Sequence, residues 1–238
     1  MPSVVLEEAQ PFHAETFAVV GTFADDGRFV RHASLLSMPC EIKRGDKVPV
    51  HQMRPPLDLN PVLEEARHFR FPLTPAHLVG YAEGLTREEV KKMETWLARV
   101  SRRTPIINFP HKGWNDIYLD HYVLYPPALP AEVDKKTGNP RYWRFSCVGL
   151  VLECYRLGAG INLLDLQSQQ FPTIGLSELV GLYPDILAPR NLAKVGLSGS
   201  GPWPIALPGY LFHAFQRSPN EIRGVPYLPT SNAETRFP

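Results

Sequence analysis

The sequence predicts an α+β domain in which a small antiparallel sheet packs against two helices. Three observations predict it. Apolar runs near residues 16–23, 28–36 and 48–53 are separated by turn residues, as hairpin strands are. A capped amphipathic helix spans about 86–103, and a second helix opens at a cysteine, Cys147. Proline is the third: 25 of 238 residues, roughly twice the ordinary frequency. Because proline interrupts helices and sheet ladders alike, long ordered loops should join short regular elements.

The elements follow in chain order. Thr16 to Phe23 reads as a buried strand, and Asp25-Asp26-Gly27 is a turn signal. Arg28 to Leu36 is the returning strand. After a charged turn, Lys43-Arg44-Gly45-Asp46, the segment Val48 to Met53 reads as a third strand, placed at an edge because of Pro49. If residue 36 pairs with 48, His32 stands opposite Gln52 and beside His51. Asn60-Pro61 with Glu64 is the signature of a short helix start, and Phe71 to Tyr81 supplies a further strand. Thr86 and Glu89 form a capping box ahead of the stripe Val90, Met93, Leu97 and Val100, and Thr104-Pro105 ends that helix. The stretch 106–141 is rich in aromatics and prolines, and Asp134 to Asn139 is a solvated turn. Leu176 to Leu182 reads as helical, Gly196 to Pro202 as a flexible loop, and seven prolines follow Gly201. With no internal repeat and no linker, the chain reads as a single domain over 1–238 with a proline-rich C-terminal extension from about 165.

The helix around Cys147 carries the chemistry. Ser146 is a good N-cap, Leu150, Val151, Cys154 and Leu157 recur at helical spacing, and Gly158 with Gly160 supplies a stop. Cys147 then occupies the first helical position. Unpaired N–H groups and the positive end of the helix dipole favour thiolate there, and Arg144 adds to the effect. Cys154, two turns along the same face, reads as core packing.

Composition narrows the partners. A net charge of +1 offers no basic field for nucleic acid. Three cysteines fit a reducing compartment better than a disulfide framework. No stretch reads as a signal peptide or a membrane span, so a cytoplasmic location is expected, with no cofactor. His111, Trp114, Asp116 and His121 share an aromatic loop, but their spacing is not that of a metal knuckle, and no metal is expected. His68 and His77 read as ordinary strand histidines.

At this point the residues resemble the circularly permuted branch of the NlpC-like papain-fold cysteine hydrolases, a group that includes lecithin retinol acyltransferase-like proteins. Three stretches carry the resemblance. His32-Ala33-Ser34-Leu35-Leu36 is similar to the strand headed by that branch's histidine. Val48-Pro49-Val50-His51 stands where a second polar residue lies on the next strand. Phe145-Ser146-Cys147-Val148-Gly149-Leu150-Val151, with Tyr155, resembles the nucleophile helix, and the helix after Gly84-Leu85-Thr86 resembles the one preceding it. The likeness spans roughly 28–165. Gly149 and the wide spacing from His32 to His51 depart from the pattern.

The resemblance implies a permuted papain-like fold and a site of Cys147, His32 and His51. Cys147 would attack an acyl carbon, His32 would carry the proton, and His51 would orient His32. His13 with His32 is a rival pairing, and His213, in Leu207-Pro208-Gly209-Tyr210-Leu211-Phe212-His213, is the candidate of the unpermuted order. The substrate would be an amide or ester, such as a cell-wall-derived peptide or a lipid-like acyl group. Two other readings stand beside it: a non-catalytic binding module with a groove along Trp114 to Tyr125, and a structural or interaction role suggested by the proline-rich loops.

Overall fold

The computed structural model of this chain describes residues 3–5, 12–13, 17–36, 41–42, 47–53, 66–72, 77–101, 118–119, 124–133, 135–136, 140–184, 192–193 and 195–237. Its strands are β1 (Ser3–Val5), β2 (Phe12–His13), β3 (Ala18–Phe23), β4 (Val30–Leu36), β5 (Glu41–Ile42), β6 (Lys47–Met53), β7 (Ala66–Pro72), β8 (His77–Tyr81), β9 (Tyr118–Leu119), β10 (Ala128–Val133) and β11 (Pro140–Phe145). The helices are α1 (Arg87–Ser101), α2 (Cys147–Ala159), α3 (Leu176–Leu182), α4 (Pro208–Phe215) and α5 (Pro219–Gly224), followed by a 3-10 turn at Asn232–Thr235. The architecture is α+β.

A six-stranded sheet runs β1-β8-β3-β4-β6-β7, antiparallel at every step. The β3–β4 hairpin forms where the turn residues foretell it. Gly27 takes φ +67°, the left-handed conformation that the turn demands, and Ala24 N–H donates to Phe29 O at 2.8 Å. Asp26 accepts from the N–H groups of Arg28 and Phe29, and these bonds, with the Arg236 guanidinium, hold its carboxyl at about 2.

Two expectations about strands are corrected. β6 is internal, flanked by β4 and β7, rather than an edge. A proline costs a central strand one ladder bond, and the described pairing of β6 with β4 involves only Val50 and His51, not Pro49. The stretch 71–81 is not one strand: β7 ends at Pro72 and β8 begins at His77, and the two lie on opposite sides of the β3–β4–β6 centre. The helix start at Asn60-Pro61-Glu64 lies outside the described residues.

Helices cover one face of this sheet. Val19 pairs with Leu35 and Gly80, and Gly21 with Ala33 and Leu78, so these residues share that face. The two glycines among them let α4 approach closely. A Cβ at Gly21 would lie 2.7 Å from the Phe212 ring, and one at Gly80 2.8 Å from the Phe215 ring. The Tyr155 ring of α2 meets Phe215 at 5.5 Å, so α2 lies beside α4 on the same side, packed on β4 and β6. The pairing of Leu35 with His51 extends this face onto β6.

α1 is the capped helix expected: Thr86 N–H donates to Glu89 Oε2 at 2.7 Å, and Glu89 N–H returns to Thr86 Oγ1 at 3.2 Å. Glu89 is held further by Arg223 Nη1 at 2.8 Å, which ties α1 to α5. The proline-rich C-terminal stretch builds much of the core, contributing Phe171, Ile174, Trp203, Ile205, Tyr210, Phe212 and Phe215. Its end crosses to the hairpin, where Phe237 N–H donates to Arg28 O at 2.8 Å.

Candidate active site

β11 leads through Ser146 directly into α2. The sequence folds this way because Ser146 takes an extended conformation and its Oγ accepts from Gly149 N–H at 2.9 Å. Ser146 N–H donates to Pro127 O at 2.8 Å. The same carbonyl explains Gly149, since a Cβ there would lie 1.7 Å from Pro127 O. The main chain just before β10 is thus pressed onto the first turn of α2, and only glycine admits it. At the other end Gly160 takes φ +70° and caps the helix, its N–H donating to Arg156 O at 3.1 Å. Gly158 is not part of that stop. A Cβ on it would lie 2.2 Å from Met93 Cγ and 2.8 Å from Met93 Cα, so it sets the closeness of α1 and α2.

Cys147 is the first residue of this 13-residue helix, as the capping pattern foretells, and it is reduced and 5% exposed. No carboxylate occupies the first turn of α2 to oppose a negative thiolate. Cys154 is the contrast, because complete burial pushes its thiol well above the usual range. Tyr183 belongs to the surroundings of Cys147. Its hydroxyl stands 3.5 Å from Arg31 O, its ring meets Phe29 edge-on at 5.7 Å, and burial first, then the neighbouring Cys147, raises its ionisation far above the ordinary phenol. Tyr183 is therefore neutral at any physiological pH, its hydroxyl given to Arg31 O.

The histidines are arranged differently from the expectation. Leu36 pairs with Val50 rather than with Val48, and Leu35 stands opposite His51. Successive side chains of a strand alternate faces, so His51 joins Leu35 on the side covered by α2 and α4, whereas His32 joins Ser34 and Gln52 on the other. The partner of His32 is Gln52: His32 Nε2 lies 2.9 Å from Gln52 Oε1, and Ser34 Oγ donates to the same oxygen at 3.1 Å. An oxygen can only accept, so His32 donates through Nε2. The expected hydrogen bond between His32 and His51 would have to pass through the sheet. His51 is 7% exposed and stands opposite His68 of β7 in the β6–β7 register.

The remaining candidates are dispersed. His13 pairs with Glu41 in the two-stranded β2–β5 ladder, outside the six-stranded sheet. His213 lies on α4, not on a strand, and its ring stacks on Phe237 at 4.8 Å, with a second stack on Tyr227. Most of the stretch Trp114 to Tyr125, with His111 and His121, lies outside the described residues. Arg144 stands opposite Leu129 in the β10–β11 ladder. Among the described residues no group of three His, Cys, Asp or Glu side chains is placed to hold a metal ion, and no helix is long and apolar enough to cross a membrane.

Sequence reasoning placed Gln52 opposite His32 but gave it no role, although any antiparallel register that does so sends His51 to the other face, and it passed over Tyr183. Tyr183 had no local signal. Compared with protein-family models, curated proteins and solved structures, the chain matches none.

Proposed function

We propose that this protein is a papain-like cysteine hydrolase or acyltransferase, of the circularly permuted NlpC type, acting on an amide or ester through Cys147. The observation that carries the reading is that Cys147 opens a capped helix, free of first-turn carboxylates, on the sheet face that also bears His51. On this reading His51, rather than His32, is the base, because it shares the α2 side of the sheet. His51 takes the thiol proton, and the thiolate attacks the acyl carbon. The backbone N–H groups at the start of α2 receive the oxyanion, and the proton passes to the departing amine or alcohol. Water or another acyl acceptor, deprotonated by His51, then attacks the thioester and releases Cys147. Cell-wall-derived peptides and lipid-like acyl groups are the substrate classes proposed. The low exposure of Cys147 supports a second reading, a non-catalytic binding module on the same fold.

The deciding experiment is the pH dependence of Cys147 alkylation by iodoacetamide on native protein, read by mass spectrometry with Cys154 as internal control. The expected result is labelling with a midpoint well below the ordinary thiol value of about 8.5, lost in His51→Ala and kept in His32→Ala. A Cys147 that stays inert until the protein unfolds would remove the hydrolase reading and leave the binding module. In a substrate screen, Cys147→Ala should abolish turnover with the fold intact.

A further inference from the structure

We propose that Gln52, gripped by His32 and Ser34, is a positioning residue that fixes the register of β6 and so decides that His51 faces α2. The assignment deepens the cysteine reading and rests on it for the role of His51; the register itself is a separate matter of structure.

The need for such a device follows from how β6 is attached. Toward β7, every residue from Lys47 to Met53 has a partner. Toward β4, the described pairs are Leu36 with Val50 and Leu35 with His51, and the ladder goes no further toward His32. The outer hairpin β6–β7 therefore meets the body of the sheet through a ladder of two described pairs, which offers few backbone hydrogen bonds to hold a register. Slippage by one residue would exchange the faces of His51 and Gln52.

Side chains bridge the strands where the backbone pairing stops. Gln52 Oε1 takes one hydrogen bond from His32 Nε2 at 2.9 Å and another from Ser34 Oγ at 3.1 Å. Gln52 is 4% exposed and Ser34 1% exposed, so neither group has water to replace the partner it would lose. A slipped β6 would send the Gln52 amide into the apolar side beside Ala33 and Leu35, turn Met53 out of it, and leave the Ser34 hydroxyl unpaired, all unfavourable. The network thus opposes the one displacement that would turn His51 away from α2. His32 acts in it as a donor, a role that explains a strand histidine on the face away from α2.

The test compares Gln52→Leu, which removes the acceptor at similar volume, with Gln52→Glu, which keeps it. Two readouts are taken on the full chain: the Leu35–His51 cross-strand contact by NMR, and the midpoint of Cys147 alkylation. In Gln52→Leu the Leu35–His51 contact is expected to weaken or split into two populations, and the alkylation midpoint to move up toward about 8.5. Gln52→Glu should restore both. Retention of the Leu35–His51 contact in Gln52→Leu overturns the proposal. If wild-type Cys147 shows no lowered midpoint, the cysteine reading fails alone, and the contact readout still decides the register. Should Gln52→Leu not fold, Ser34→Ala serves: its β6 amides should exchange about tenfold faster than wild type, on the scale of one hydrogen bond. An unchanged exchange rate there also overturns the proposal.

Discussion

The two ends of α2 are built alike and surrounded differently. At each end a glycine admits something too close for a side chain: Pro127 O at Gly149, and the Met93 backbone at Gly158. At each end there is also a cysteine within a turn or so. Cys154, near the C-terminal half, is wholly buried among apolar groups, and its thiol is held in the neutral form. Cys147, at the N-terminal end, has the helix dipole and no acidic neighbour in its turn. The same residue type on the same helix is thus inert packing at one end and a candidate nucleophile at the other. Burial alone does not separate them; the position of each relative to the helix N-terminus does.

The comparison can be broken most severely at Gly149. Gly149→Ala puts a methyl group onto a main-chain carbonyl that is itself bonded to Ser146, and neither can retreat without dismantling the cap. A loss of roughly 3 kcal/mol or more in urea unfolding is expected, despite the better helix propensity of alanine. Gly158→Ala should cost less, about 1–3 kcal/mol, because part of the clash is with the flexible Met93 side chain. Equal losses from the two substitutions would mean that the ends are not held differently.

A smaller effect sharpens the electrostatic side. Tyr183→Phe removes a hydroxyl whose bond to Arg31 O is long, so stability should fall by only about 0.5 kcal/mol. The midpoint of Cys147 alkylation should not move, since the one hydroxyl proton of Tyr183 is already given to Arg31 O and the phenol stays neutral. Cys154 should show no change.

The smallest effect concerns α1, the helix against which the Gly158 end packs. Arg223, then the Thr86 groups, hold Glu89 at about 2, below the usual carboxylate value. A folded-state value below the unfolded one adds stability that is complete above about pH 4.3 and disappears as the pH falls through about 2. The pair is partly exposed, so after screening it is worth roughly 0.3 kcal/mol. Arg223→Met should flatten the acid limb of a stability profile between those values, leaving the contribution of Asp26 in the same window. An unchanged acid limb would show that the pair contributes nothing in solution.

Most of what was legible in the sequence depends on residues within about four positions of one another. The Thr86–Glu89 capping box, the turn at Asp26-Gly27, the Ser146 cap that puts Cys147 first in α2, the helix at 176–182 and the Gly160 stop are all of this kind. Each is a local hydrogen bond or a local backbone preference, so the residues themselves specify it. The tertiary structure alone decided the rest. β6 became internal because β7 pairs along its other side, and the stretch from Pro208 to Phe215 became α4 because its apolar face has Gly21 and Gly80 to pack against. Gly149 looked like a departure from a motif until Pro127 lay on it. The face on which His51 stands is likewise a property of strand pairing, which joins residues far apart in the chain. Alternation along β6 separates His51 from Gln52, but which of them meets α2 depends on the register with β4 and on the side of the sheet that the helices occupy.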